Sequence, residues 1–282
     1  GGVEHYGYTA SELSLACASH DGARIHIDAV KALQAKVGIE ENNLQCGGHL
    51  PNDPQMLREL ICNEIKPTHN YNNCSGKHTT MLAHAKMHGF PLENYLDLNH
   101  PIQQEILSAL AEMCSIEKEK IVLGVDGCSA PNFALPLYNA ALGMARFCDP
   151  HELSDTRAAA CKKITSAMAA HPEMISNYGE FDCELMKACE GKVITKRGAE
   201  GFQIVGILPG VLGKDSAGLG IAFKVEDGDT SHMDDTLVSN TRVRPAVTLE
   251  ILRQLNVLNE AQLKSLSKFG PVKTLKNFAG LV

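Results

Sequence analysis

The sequence predicts an α/β protein of the α+β type, in which an antiparallel sheet is surrounded by helices. Helical spacing of apolar residues is concentrated in the middle of the chain, whereas short apolar runs between glycines and turn residues lie nearer its ends. Helices and strands that are segregated in this way favour an antiparallel sheet over a regular βαβ array. The 282 residues, 44% of them hydrophobic, are enough to build a substantial core.

In the first part of the chain, the pattern predicts one strand and four helices. An apolar run over residues 12–19 ends at Ser19-His20-Asp21-Gly22, a turn signal, which indicates a short buried strand. Apolar residues with helical spacing predict helices over 23–37, 53–65, 77–88 and 100–115. Gly38 and Gly89 are the expected stops of the first and third of these helices.

The second part of the chain changes in character after residue 190. A strand is predicted over 121–125, followed by helices over 137–146, 155–170 and 181–190. Strands separated by glycine-rich turns are then predicted over 192–196, 201–208 and 218–226, and a last helix over 240–255.

Net charge and hydropathy exclude several classes of partner, and the cysteine content indicates the redox compartment. The net charge is -7 and the chain has no run of lysine and arginine, so we expect neither nucleic acid nor an anionic membrane as a partner. The longest uncharged stretch, 127–145, contains two prolines and is not predicted to span a membrane. Ten cysteines without a Cys-x-x-Cys motif fit free thiols in a reducing cytoplasm.

Two cysteines and a lysine form a candidate metal site. Cys74 and Lys77 are three residues apart, so one turn of chain can direct both side chains at one point. Thiolate sulfur suits zinc, and Cys128 in the downstream Asp126-Gly127-Cys128 supplies a second thiol, with water to complete a tetrahedron. The alternative is a buried thiol next to a surface lysine at the start of a helix.

Serine and lysine residues at two turns are candidates for covalent catalysis. Ser19 lies where the first predicted strand turns, a position that can expose a hydroxyl beside backbone N–H groups. Lys196 ends an apolar strand and precedes a glycine-containing turn, where it can point into a cleft. The alternatives are a turn serine that bonds its own backbone and a lysine that forms a salt bridge at a strand edge.

A set of short motifs occurs along nearly the whole chain in a fixed order, and the ordered set resembles the Rhizobium-type L-asparaginases, also called the asparaginase II family. The motifs are Cys17-Ala18-Ser19-His20, Cys46-Gly47-Gly48-His49, Asn73-Cys74-Ser75-Gly76-Lys77-His78, Asp126-Gly127-Cys128, His171-Pro172-Glu173-Met174 and Lys196-Arg197-Gly198-Ala199-Glu200-Gly201. We therefore expect one domain of this type over residues 1–282.

The resemblance implies a fold related to the serine β-lactamases and hydrolysis of L-asparagine to L-aspartate and ammonia, usually by a homodimer. It also implies a zinc ion near the pocket, with protein residues in three roles. The corresponding residues here are Ser19 and Lys196 as a catalytic pair, Cys74, Lys77 and Cys128 as zinc ligands, and Asp126 as a substrate-contacting carboxylate. His78 and Gly198, which belong to matched motifs, are also predicted to bind the substrate.

One departure from the family pattern bears on activity. The resemblance implies a second Ser–Lys pair, in a Ser-x-x-Lys motif upstream of Gly1, so we interpret the chain as cut from a longer protein. The Ser-x-x-Lys runs at Ser115 and Ser265 are in the wrong place to replace it. Two alternatives to an active asparaginase therefore stay open: an impaired fragment or pseudoenzyme that binds zinc or a ligand, and a β-lactamase-like or peptidase hydrolase.

Overall fold

The structure, a computed structural model, describes residues 1–233, 236–239, 243–270 and 279. These residues form helices and small antiparallel sheets, which confirms the predicted α/β class. The helices are α1 (Gly2–Tyr6), α2 (Ala10–Ala16), α3 (Arg24–Val37), α4 (Pro54–Cys62), α5 (Ser75–Met87), α6 (Pro101–Cys114), α7 (Leu137–Cys148), α8 (Asp155–Ala170), α9 (Phe181–Ala188), α10 (Arg244–Gln254) and α11 (Glu260–Ser265). No helix among these residues is both long enough and apolar enough to cross a bilayer.

The strands pair in three separate antiparallel sheets within the described residues. A hairpin joins β1 (Val122–Val125) to β2 (Pro131–Ala134), and a second hairpin joins β6 (Thr230–Met233) to β7 (Thr236–Ser239). The largest sheet has the order β3 (Val193–Arg197), β4 (Phe202–Ile207), β5 (Leu219–Lys224). Where one antiparallel sheet surrounded by helices is predicted, the described part of the chain forms one sheet of three strands and two hairpins.

Helices cover both faces of the three-stranded sheet. Successive residues of a strand point to opposite faces, and β3 shows this with Val193 and Ile194, both fully buried. Val193 belongs to a core cluster with residues of α9 and α10, whereas Ile194 belongs to another with residues of α7 and α8. Lys196 lies further along β3 and pairs with Ile204 of β4, so a well-packed sheet supports it.

Helix α7 lies directly against β5 because Gly220 has no side chain. A Cβ atom at Gly220 would lie 1.9 Å from the carbonyl oxygen of Ala141 in α7. Real Cβ contacts are never this short, so any larger residue would push the helix off the sheet.

A second core lies under the helical part of the chain. Leu33 and Val37 of α3 pack with Leu82 of α5 and Tyr95, all with at most 2% of their surface exposed. Most residues of α5 are buried, so the helix passes through this core rather than over it. Its first turn therefore holds its side chains inside the protein.

Most predicted elements are confirmed to within a few residues. Helix α8 has the predicted bounds, and α3 ends at Gly38, which adopts the left-handed conformation with φ of 65°. The last helix was predicted over 240–255. It is described from Arg244, and residues 240–242 lie outside the described residues. Helices α1 and α11 and strands β2, β6 and β7 were not predicted.

The strand predicted over residues 12–19 is wrong, because residues 10–16 form helix α2. Thr9 caps this helix: its hydroxyl accepts a hydrogen bond from the Glu12 N–H at 3.2 Å, and the Glu12 carboxylate accepts one from the Thr9 N–H at 2.7 Å. This reciprocal capping box stabilises a helix start and outweighs the weak alternation of the short apolar run. Ser19 therefore follows a helix rather than a strand.

Candidate functional site

The structure brings the two predicted catalytic residues together. Ser19 lies in the segment after α2, whose next residue, His20, donates its N–H to the Asn73 carbonyl at 3.0 Å. Lys196 lies near the end of β3, and its Nζ donates to Ser19 Oγ at 2.8 Å and to the Arg197 carbonyl at 2.7 Å. Both Ser19 and Lys196 are half-buried, so the pair is both packed and accessible.

The surroundings of Lys196 favour its neutral form. Part of the side chain is solvent-accessible, but protein atoms surround the ammonium group, and this burial lowers the pKa of Lys196 from 10.5 to about 8. The charge of Asp182 acts in the opposite direction, and that of Arg197 lowers the pKa further. Cys74 and Lys77 also contribute, with opposite signs, so the predicted metal site adjoins the Ser19–Lys196 pair.

The predicted metal ligands also lie together. The ligand atoms of Cys74, Asp126 and Cys128 all lie within 4.8 Å of one another, and Lys77 Nζ lies 3.5 Å from Cys128 Sγ. Cys74 immediately precedes α5, and Lys77 is in its first turn. Cys128 comes from the turn between β1 and β2, which carries its thiol over to the start of α5.

The thiols of Cys74 and Cys128 influence each other's pKa. The hydrogen bond between the two side chains raises the pKa of Cys74 and lowers the pKa of Cys128. Burial lowers the pKa of Lys77, but the charges of Cys74, Cys128 and Asp126 outweigh it and raise that pKa. A metal that binds all three residues must displace the protons that they carry.

His78, predicted to bind the substrate, is fully buried between Tyr95 and Cys128. Its Nδ1 is 2.6 Å from the Tyr95 hydroxyl, and its interaction with Cys128 helps to lower the pKa of that thiol. Its Nε2 is buried and has no hydrogen-bond partner of ordinary geometry. The ligand atoms that do lie together, two thiols and the Asp126 carboxylate, suit zinc, so the residues present fit the predicted metal.

Asp126 and Gly198, the other predicted substrate contacts, differ in the hydrogen bonds that they form within the protein. The half-buried Asp126 carboxylate accepts the Gly127 N–H at 2.8 Å and the Cys128 thiol at 3.6 Å. Gly198 lies two residues beyond Lys196, and its N–H donates to the Phe202 carbonyl at 2.9 Å. Its carbonyl accepts from the Arg244 guanidinium at 2.9 Å, so both its backbone groups are engaged within the protein.

The loop over residues 46–49, one of the motifs noted in the sequence, is connected to Cys74 through hydrogen bonds of Asn72. Asn72 donates its side-chain amide to the Cys46 carbonyl at 2.8 Å, and its side-chain oxygen accepts the Cys74 N–H at 2.9 Å. A Cβ atom at Gly48 would lie 2.3 Å from the Pro67 carbonyl oxygen, so only glycine permits this close approach. Asn72 thus links the loop to the candidate metal site.

A serine–histidine contact that the sequence patterns did not indicate lies below the site. The Gly22 N–H donates to His20 Nδ1 at 3.1 Å, so the ring proton lies on Nε2, which donates to Ser75 Oγ at 2.9 Å. The Ser75 hydroxyl in turn donates to the Asn70 carbonyl at 3.2 Å. His20 therefore cannot accept a proton from Ser75 in this arrangement, and the pair fixes the start of α5 instead of forming a nucleophile.

An ion-pair cluster next to Lys196 was also not identified from the sequence. The Arg197 guanidinium contacts the buried Asp21 carboxylate and lies 3.1 Å from Glu180. Burial lowers the pKa of Arg197, but the charges of Asp21, Asp182 and Glu180 outweigh it and raise the pKa. Arg197 is therefore engaged within the protein and contributes a fixed positive charge beside Lys196.

The comparisons with known proteins give one family match. The model of the family described as L-asparaginase II matches residues 1–280. No curated protein matches the sequence.

Proposed function

Because the chain belongs to the L-asparaginase II family, we propose that it hydrolyses L-asparagine to L-aspartate and ammonia. The observation that best supports the chemistry is the 2.8 Å contact between Lys196 Nζ and Ser19 Oγ, together with a lysine pKa of about 8. A base whose pKa lies near the working pH can accept a proton and return it within one catalytic cycle.

In the proposed first half-reaction, neutral Lys196 accepts the hydroxyl proton of Ser19 as Ser19 Oγ attacks the side-chain carbonyl carbon of L-asparagine. The C–N bond of the resulting tetrahedral species breaks, and the protonated lysine gives its proton to the departing nitrogen. The products are ammonia and a β-aspartyl ester on Ser19. Lys196 is then neutral again, and its amine faces the ester.

In the second half-reaction, Lys196 accepts a proton from a water molecule that attacks the same ester carbonyl. The C–O bond to Ser19 breaks, the proton returns to Ser19 Oγ, and L-aspartate leaves. Because the two steps use one base in the same place, the single contact between Lys196 and Ser19 serves both.

For substrate binding, we propose that Asp126 holds the α-ammonium group of L-asparagine. Its carboxylate is half-buried and already lies beside Cys128, so the charge stays fixed in one place. His78 is fully buried, which favours an effect on the substrate through Cys128. Gly198 would contribute through its small size, since both its backbone groups bond within the protein.

We also propose that Cys74, Lys77 and Cys128 hold a zinc ion, with Asp126 close enough to take part. Zinc would supply positive charge and Lewis acidity at the edge of the pocket. The protein's own contribution is a rigid set of soft ligands: Cys74 and Lys77 are fixed by the start of α5, and Cys128 by the β1–β2 turn.

The wider proposals follow the family. We propose a single domain with a fold related to the serine β-lactamases, in a reducing cytoplasm that suits ten free thiols. We propose a homodimer as well, and the β1–β2 hairpin supports it. Val122 and Val125 of β1 are 67% and 80% exposed, and a two-stranded sheet with bare apolar side chains is stabilised by a partner surface.

Ammonia release from L-asparagine, with zinc present, tests the proposed activity. We expect release by the unmodified chain and none above background by Ser19→Ala, which removes only the nucleophilic oxygen. A folded, zinc-loaded protein that releases no ammonia would support a zinc- or ligand-binding role. Turnover of a β-lactam chromogen in place of L-asparagine would support the β-lactamase-like alternative.

A further inference from the structure

A buried carboxylate lies beneath the strand that carries Lys196. Asp182 of α9 is 2% exposed, and three neutral donors converge on it. The Arg197 N–H donates to its Oδ2 at 2.8 Å, and the Gln203 side-chain amide donates to its Oδ1 at 2.9 Å. The Thr195 hydroxyl shares its one proton between Oδ1 at 3.3 Å and the Ile204 carbonyl at 3.2 Å. Both carboxylate oxygens of Asp182 are therefore held by donors from strands β3 and β4.

The partners of Asp182 include both sequence neighbours of Lys196. Thr195 and Arg197 flank the lysine on β3, so Asp182 fixes the strand on either side of it. The Lys196 side chain then leaves from the opposite side of this anchored segment and reaches Ser19 Oγ. Gln203 of β4 donates to Thr195 Oγ1 as well, at 2.6 Å, which closes the network across two strands.

We propose that Asp182 is a positioning residue for Lys196: it anchors strand β3 on both sides of the lysine and keeps Nζ against Ser19 Oγ. Its charge adds a second effect. Asp182 raises the pKa of Lys196 against burial, which lowers it. Without Asp182, the lysine would be a weaker base. The inference rests on the proposed role of Lys196 in catalysis.

The charged groups that face Lys196 come from four elements. Asp182 on α9 and Cys74 before α5 raise the pKa of Lys196, whereas Arg197 on β3 and Lys77 on α5 lower it. The Cys17 thiol after α2 also lies within range of the lysine charge. A substitution at Asp182 changes one of these contributions. The proposed metal-binding residues are the same in the variant and in the unmodified protein.

The test measures the proton affinity of Lys196 without using activity. Trace acetylation at a series of pH values, read by mass spectrometry on the peptide that contains Lys196, reports its neutral fraction. In Asp182→Asn, loss of the charge should move this titration to lower pH by at least ~0.5 unit. The acidic limb of kcat/KM for L-asparagine should move in parallel, while kcat at its plateau falls.

An unchanged Lys196 titration in Asp182→Asn would overturn the electrostatic part, and an unchanged plateau kcat would overturn the positioning part. A purely structural role of Asp182 would lower kcat without moving the acetylation titration of Lys196 or the acidic limb of kcat/KM. If the chain releases no ammonia at all, the proposed function fails, and the acetylation titration still decides whether Asp182 acts on the proton affinity of Lys196; the two failures are therefore distinguishable.

Two further variants complete the test. Gln203→Met removes a neutral donor to Asp182 and keeps the charge, so the Lys196 titration should stay where it is. Asp182→Glu keeps the charge but moves the carboxylate, so kcat should fall with the titration unchanged; this variant carries the test if Asp182→Asn does not fold. A downward shift of the titration in Asp182→Glu equal to the loss of the charge would contradict the proposal.

Discussion

The ammonium nitrogen of Lys196 lies 2.8 Å from the hydroxyl oxygen of Ser19, although the two residues are 177 positions apart in the sequence. One follows a capped helix and the other lies near the end of a strand in the three-stranded sheet. The contact therefore depends on how the helical part of the chain packs against that sheet. The proposed chemistry is centred on this contact.

Replacement of Lys196 by methionine should remove activity, because methionine has similar length but no group that can accept the Ser19 proton. Loss of a general base costs typically about 10²- to 10⁴-fold in rate. Lys196→Arg is the matched control: it keeps the positive charge but stays protonated, so it should be as inactive as Lys196→Met. Near-normal ammonia release by either variant would refute the assigned role of Lys196 as base.

The rate should rise with pH as Lys196 loses its proton. Burial lowers the pKa of Lys196 from 10.5 to about 8, so kcat/KM for L-asparagine should increase about tenfold per pH unit well below 8 and level off above it. Between about 8 and 10.5 the unfolded chain binds more protons at this residue than the folded protein does. This residue therefore makes folding more favourable as pH rises through that window. A rate that is flat between pH 6 and pH 8 would contradict the assignment.

Cys128→Ser should lower the zinc content of the purified protein. The substitution removes a thiol with a lowered pKa from the ligand cluster, and serine is a much poorer zinc ligand. Cys62→Ser is the matched control, because Cys62 is exposed and lies outside the cluster. Metal analysis should show reduced zinc for Cys128→Ser alone. Equal stoichiometry in the two variants would exclude Cys128 as a ligand.

Gly220→Ala should destabilise the protein because its Cβ would lie 1.9 Å from the Ala141 carbonyl oxygen. Overpacking of this kind costs typically about 1–3 kcal/mol in the free energy of unfolding. Gly124→Ala in β1 makes the same chemical change where no atom lies within 4 Å of the new Cβ. Urea unfolding should separate the two variants by their midpoints, and equal midpoints would show that α7 can move away from β5 without cost.

Regular helices with clear ends could be predicted from the sequence because their signals are local. Spacing of apolar residues and the glycine at position 38 define α3, and α8 has the predicted bounds. The helix missed over residues 12–19 could also have been predicted from a local pattern. The Thr9-Ala10-Ser11-Glu12 sequence is a capping-box pattern, and it indicates the helix that the structure shows.

The candidate site was predictable only in part. Its residue types and order along the chain resemble a known family, which identified Ser19, Lys196 and the cysteines. Asp182 could not be found in this way, because a single aspartate near the start of a helix usually indicates a helix end or a solvated face. Its role follows from three hydrogen bonds to strands β3 and β4, and no sequence pattern encodes those contacts.

The most direct test of the proposed mechanism is to trap the ester on Ser19. The protein is mixed with L-asparagine, quenched in acid within milliseconds to seconds and digested, and the peptide that contains Ser19 is analysed by mass spectrometry. We predict a β-aspartyl adduct on Ser19 that forms before steady-state ammonia release and is absent from Ser19→Ala. Ammonia release without an adduct on Ser19, or with the adduct on a different residue, would contradict the mechanism.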